Sequence, residues 1–279
     1  MSESRQRWRL VFARDEEAQF LSHLDAVKLW ERAFRRGGIP VATSEGFSPR
    51  PRVIFAAPLQ LGMLAEHELA DLFLAERLTS HDLRARLAAG MPRGYRIVEL
   101  HDEWVGAPAL APQLAAADYR INLLYVERPV VEECIRTLLA AEHLPRERHR
   151  EDKVVAYDLR PLLIDLHVRA GGSAAGVGAA ARRGVPEAQD VPGTVAPGSA
   201  GPAATTAPPS DVVEGVCVWM RLRHTQDEGS GRADEVVAAL AEALPGPAAA
   251  RPAEAPAAIA VEMVHPVRER LWLSRELTS

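Results

Sequence analysis

Arg7-Trp-Arg-Leu-Val-Phe12, and after it Ser22-His-Leu-Asp-Ala-Val-Lys-Leu-Trp-Glu-Arg-Ala-Phe-Arg-Arg-Gly-Gly38, set the fold class. Trp8, Leu10 and Phe12 alternate with Arg7, Arg9 and Val11, the two-residue period of a half-buried strand. Ser22 then suits a helix N-cap and Asp25 its first turn. Ala26, Leu29, Trp30, Ala33 and Phe34 recur at helical spacing and give one apolar face. Gly37-Gly38 stops the helix, because glycine tolerates the left-handed conformation beyond a helix end. Working outward, strand-like runs at 52–57 and 68–75, a helix at 80–89 and a strand at 95–100 complete the order β-α-β-β-α-β.

The remainder repeats that order. Tyr119, Ile121, Leu123 and Tyr125 alternate along a strand, 130–141 is helical, and 153–157 is strand-like. Runs 163–169 and 214–223 read as two strands joined across a long connection, followed by a helix at 231–244 and a last strand at 259–264. Residues 171–210 are almost all Gly, Ala, Pro, Ser, Thr and Val without an aromatic, a composition too poor in apolar bulk to offset its ordering entropy. They read as a disordered insertion replacing a hairpin turn, which costs little because loop closure rises only logarithmically with length. A second loose tract covers 245–258. The expected fold class is α+β, two tandem ferredoxin-like (βαββαβ) units, one over residues 1–105 and one over 116–279 interrupted by the linker 171–210.

At 279 residues the chain can bury two ordinary cores, and 47% hydrophobic with 25% charged residues is the balance of a soluble globular protein. A net charge of −5 means that any polyanion must be met by a local patch. Lys28 and Lys153 are the only lysines, so the arginine excess reflects coding bias in part. Cys134 and Cys217 stand apart with no CxxC spacing, which excludes a disulfide framework or a metal knuckle. Without an apolar leader or a span of about 18 apolar residues, a cytoplasmic location and no membrane are expected.

The strongest local charge follows the first helix. Lys28, Arg32, Arg35 and Arg36 form a stripe opposite its apolar face, and Arg50 and Arg52 follow in Glu45-Gly-Phe-Ser-Pro-Arg-Pro-Arg52. Six positive charges stand there against Glu31 and Glu45, and Phe47 supplies a ring on which an unpaired base could stack. The bland reading is a solvated helix face whose cations suit its C-terminus. A weaker group lies on 214–223, where Val216, Val218, Met220 and Leu222 form one side and Cys217, Trp219, Arg221 and Arg223 the other. A tryptophan between arginines on an open sheet face would suit single-stranded nucleic acid; its bland reading is a core-edge ring. His23 is the alternative catalytic candidate, but at i, i+2 it and Asp25 point apart. His101-Asp102-Glu103 and the pair His143, His149 lack zinc-site spacing. Gly229-Ser-Gly-Arg232 before a helix is a weak anion-binding pattern.

Phe20-Leu-Ser-His-Leu-Asp25, Trp30-Glu-Arg-Ala-Phe-Arg-Arg-Gly-Gly-Ile-Pro40 and Gly46-Phe-Ser-Pro-Arg-Pro-Arg-Val-Ile-Phe-Ala-Ala-Pro-Leu-Gln-Leu-Gly62 together resemble the radical-SAM-linked (radical SAM-associated) protein family. Tyr157-Asp-Leu-Arg-Pro-Leu162 and Gly229-Ser-Gly-Arg-Ala-Asp-Glu-Val236 fit the same pattern. Members occur alone or fused to the C-terminus of radical S-adenosylmethionine proteins, and the family has no established activity. Its loop commonly reads Gly-Phe-Asn-Pro-His-Pro-Lys; Ser48, Arg50 and Arg52 stand here instead, which removes a possible acid–base histidine and preserves positive charge. The resemblance implies a radical S-adenosylmethionine enzyme as partner. This chain has no CxxxCxxC, so the iron–sulfur cluster and S-adenosylmethionine would be held only by that partner, and no cofactor is expected here.

The expected function is a non-catalytic accessory protein that binds RNA, transfer or ribosomal, through Lys28–Arg52 and presents it to that enzyme. The alternatives are a metal-independent ribonuclease of the RAMP-like, tandem ferredoxin-like kind with His23 as general base, and a protein-interaction scaffold docking through Phe47.

Overall fold

The computed structural model describes residues 5–45, 47–124, 126–150, 153–169, 215–225, 227, 229–244 and 262–277. The linker 171–210 and the tract 245–258 lie outside them.

Strand β1 (Gln6–Arg14) sends Trp8, Leu10 and Phe12 to the sheet face covered by helices α1 (His23–Arg36) and α2 (Ser80–Gly90). Ser22 caps α1, its hydroxyl accepting from the Asp25 N–H at 3.2 Å, a contact worth about 1 kcal/mol. Ala26, Trp30, Ala33 and Phe34 are buried, and Leu29 packs against them part-buried. Trp30 meets Phe12, Phe34, Phe55 and Tyr95 edge-on, an arrangement that suits the ring quadrupoles. The two helices approach until a Cβ on Gly90 would lie 2.4 Å from the Ala33 carbonyl, so only glycine fits.

The other face of β1 corrects the half-buried expectation, for every residue of the strand is buried. Arg7 and Arg9 share the carboxylate of Asp71 beneath the segment that follows residue 103. Arg7 also donates to the carbonyls of Ala107 and Pro108. A buried guanidinium is tolerated only with its donors met, and here carboxylate and backbone meet them together.

Beside β1 run β3 (Leu64–Leu74) and β4 (Tyr95–Glu103), both antiparallel to it, while β2 (Val53–Phe55) pairs with β3. In the second half β5 (Leu114–Leu124), α3 (Arg128–Ala140), β8 (Leu163–Val168), β9 (Val216–Arg223), α4 (Ala233–Ala243) and β10 (Glu262–Leu273) give the order β10-β5-β9-β8. Between α3 and β8, β6 (Pro145–Arg150) and β7 (Lys153–Asp158) form a separate two-stranded ladder, so the strand expected at 153–157 stands outside the main sheet. Strand β10 runs on to Leu273, well beyond the expected 264; a register shift between Val264 and Val267 accommodates Pro266, which cannot donate to a ladder. A short helix, α5 (Ser274–Leu277), ends the described chain.

The halves are joined because the edge of β3 away from β1 pairs twice. Residues 70–72 take β2, and Leu64, Ala65 and His67 pair in parallel with Val267, Arg268 and Arg270 of β10. The result is one mixed α+β molecule built on a mostly antiparallel sheet, β4-β1-β3-β10-β5-β9-β8. Arg268 and Glu68, each 2% exposed, form a two-pronged ion pair at the seam, with Nε 2.6 Å from Oε1, and Arg268 also reaches the Pro58 carbonyl. Tyr119 lies beside them, its phenol pushed up by burial and partly offset by Arg268. Arg14 ties residues 60–63 to the same region by donating to the carbonyls of Gln60 and Met63. His224, just past β9, is pushed down to about 4, by burial first and by Arg268 second.

Glu68→Gln leaves Arg268 buried without its counter-charge and is expected to lower urea-unfolding stability by about 3–5 kcal/mol; pairing it with Arg268→Met should recover much of that loss. Between pH 6.5 and about 4 the unfolded chain protonates His224 and the folded chain does not. Its contribution is therefore fully present above pH 6.5 and is lost as pH falls toward 4. Denaturation midpoints across that window should flatten in His224→Gln.

Candidate nucleic-acid interface

Helix α1 turns Lys28, Arg32, Arg35 and Arg36 to solvent because its apolar stripe is spent on the sheet. Lys28 lies 3.7 Å from Asp25 with both side chains more than half exposed, a contact worth about 0–1 kcal/mol. Arg36 donates to the Gly90 carbonyl at the end of α2. Arg32 and Arg35 form no ion pair with any described residue.

Beyond α1 the chain folds back on itself. The Ser44 N–H donates to the Arg50 carbonyl at 2.8 Å, and the Arg50 N–H donates to the Ser44 hydroxyl at 3.1 Å. These bonds close a turn that holds Phe47 at its tip, at 113% relative exposure, with Arg50 exposed beside it. Arg52 takes another course. Its guanidinium lies 3.9 Å from the centre of the Phe73 ring. Phe73 pairs with Arg7, whose side of the sheet is the one α1 does not cover. The structure thus brings Phe47 and Arg50 together on one turn and sends Arg52 to the opposite sheet face.

The second group is placed as its alternation implies, with Val216, Val218, Met220 and Leu222 in the core and Trp219 and Arg221 on the other side. It is not an open platform, however. Trp219 is 7% exposed, donates from Nε1 to Glu269 at 3.1 Å and is covered by the His167 ring at 4.9 Å. Arg221 grips Asp118 through two bonds of 2.7 and 2.8 Å, which raise its guanidinium above the ordinary range, and lies over the Trp272 ring. Arg120 and Arg169 both pair with Glu269. Carboxylates brought in by β5 and β10 neutralise this face, and neither is a sequence neighbour of β9. Arg223 stands at the strand end, lining a separate cavity.

His23 opens α1 with its ring edge-on to Phe55, 5.6 Å between centroids. Asp25 serves the Ser22 hydroxyl and Lys28, so no acid–base pair forms with it. His101 pairs with Glu99, and His143 with Asp158, whose carboxyl is drawn down to about 2 by that bond and by the N–H groups of Leu144 and Arg160. The side chain of His149 is outside the described residues. Among the described residues no three His, Cys, Asp or Glu side chains converge on a metal position, and no helix is long and apolar enough to cross a membrane. Cys134 and Cys217 are buried free thiols, both pushed up by burial, the opposite of a reactive cysteine. Sequence reasoning passed over Phe20, Leu24 and Leu61, each about 70% exposed around the start of α1; the sign available was their place outside the helix's apolar series.

Among the curated proteins the chain finds no match. A family model described as an uncharacterized protein conserved in bacteria, DUF2344, matches residues 7–188, more than half the chain and the whole of α1, the turn around Phe47 and the seam at Glu68. The protein is therefore a member of the DUF2344 family.

Proposed function

We propose that the solvent face of α1 and the turn at residues 44–50 bind unpaired RNA, and that the chain is a non-catalytic accessory protein. The observation that carries this is Phe47, a fully exposed ring beside Arg50, on a turn that follows a helix whose Arg32 and Arg35 have no described carboxylate partner. An aromatic side chain left in water gains about 1–3 kcal/mol when a base stacks on it, and RNA recognition favours bases that are already unstacked. Arg32, Arg35, Arg36 and Arg50 would meet phosphates, so the expected slope of log affinity against log salt is about −3. Arg52, Trp219 and Arg221 are left out of this surface, being engaged elsewhere.

Two finer readings belong to the same proposal. The orders β4-β1-β3-β2 and β10-β5-β9-β8, each with two crossing helices, support the pair of ferredoxin-like units expected from the sequence, with β6 and β7 as an added hairpin in the second. The resemblance to radical-SAM-linked proteins supports a division of labour, in which this chain holds the RNA and a separate enzyme supplies the iron–sulfur cluster and S-adenosylmethionine.

The test is fluorescence anisotropy of a labelled single-stranded RNA between about 50 and 200 mM salt. Arg32→Ala with Arg35→Ala should weaken binding and flatten the salt slope by about 1.4, and Phe47→Ala should weaken it roughly tenfold with the slope unchanged. Binding indifferent to salt, or to all three substitutions, overturns the proposal. Cleavage of the RNA in EDTA that His23→Ala abolishes would replace it with the ribonuclease reading.

A further inference from the structure

The β6–β7 hairpin does more than extend the second half. With the turn at 160–162, the end of β9 and the turn at Gly229–Ser230 it encloses a cavity of about 480 Å³, within the usual range for small-ligand pockets. Tyr157, Pro161 and Leu162 give it an apolar wall, and Arg148 and Arg223 bring two guanidinium groups from different elements.

The charges in that wall are unequal. Arg148 lies 4.9 Å from the centre of the Tyr157 ring, forms no ion pair among the described residues, and has its Nε buried without a hydrogen-bond partner. Among the described residues that line the cavity, Asp158 is the one carboxylate, and both its oxygens are occupied. Oδ1 accepts from the N–H groups of Leu144 and Arg160 at 2.8 and 3.0 Å, and Oδ2 lies 2.8 Å from His143 Nδ1. Gly229 turns the backbone at φ 95°, which places Ser230 on the rim. The geometry points to a second binding site, in the half away from α1, that takes a phosphoryl group between Arg148 and Arg223 with the organic part of its ester against Pro161 and Leu162. Guanidinium forks match phosphate oxygens two at a time, and the apolar wall would take the organic part of the ester.

A phosphate monoester and a nucleic-acid strand present the same chemistry, and the arms of one experiment separate them. The full chain is treated with phenylglyoxal, and arginine modification is mapped by mass spectrometry with inorganic phosphate, a nucleoside monophosphate or a short single-stranded RNA, each at matched ionic strength in chloride. Phosphate and the nucleotide are expected to slow modification of Arg148 and Arg223 several-fold while leaving Arg32 and Arg35 unchanged. Protection of Arg148 by the RNA alone would assign the site to a strand phosphate. Equal protection by chloride, or protection spread evenly over all exposed arginines, overturns the site. In parallel, Arg148→Gln should weaken nucleotide binding by calorimetry about tenfold. Its RNA affinity at the α1 surface should stay at the parental value, so that the two surfaces stand or fall separately.

Discussion

Arg268 reaches Glu68 across 200 residues of sequence, and the register of the molecule hangs on that contact. Strand β3 is eleven residues long and β2 only three, so most of one edge of β3 would be left as open ladder, the kind of edge that invites unwanted pairing. Strand β10 closes it, in parallel. Two charges buried at such a seam cost several kcal/mol in desolvation, and that cost is offset only where the guanidinium meets the carboxylate along two prongs. A slip of one residue would turn Arg268 to the other face, so the pair acts less as glue than as a selector of register. From that register follow the places of residues 56–63, of Tyr119 and of the turn after β9.

The sheet has two unlike faces, and their difference decides which arginines hold a carboxylate. One face is roofed by helices over aromatic and aliphatic cores. The other carries a lattice in which Arg7, Arg9, Arg120, Arg169 and Arg221 each hold a carboxylate. The pairs of Arg7 and Arg9 with Asp71 are nearly closed to water, and such pairs keep their partners when a polyanion approaches. The exposed contact between Lys28 and Asp25 is worth so little that a phosphate can replace it. A sequence count of positive charge treats all these groups alike, and the fold does not. It leaves Arg32, Arg35 and Arg50 exposed on the outer side of α1 and the turn after it, in one half, and Arg148 without a carboxylate among the described residues, in the other.

Signals contained within one turn of helix or a few strand residues were legible. Ser22 capping α1, the apolar face of Ala26, Trp30, Ala33 and Phe34, the stop at Gly37-Gly38 and the two sides of β9 all appear as the spacing implies. Strand β10 was not legible past 264, because Pro266 and the run Arg268-Glu-Arg270 break alternation and only a bulged ladder accepts them. The β6–β7 hairpin was half seen, since one of its strands begins at Pro145 among charged residues that carry no apolar period.

Local periodicity, caps and turn residues thus determined the elements and their order, because each depends on neighbours along the chain. Tertiary structure alone decided which polar groups are spent. Arg7 and Arg9 read as solvent-facing until Asp71 closes on them from 64 and 62 residues away, and Trp219 reads as a platform until Glu269 arrives from β10. The physical reason is the same in both cases: the free energy of a charge is set by the partner and the water around it, and neither is written in its own segment.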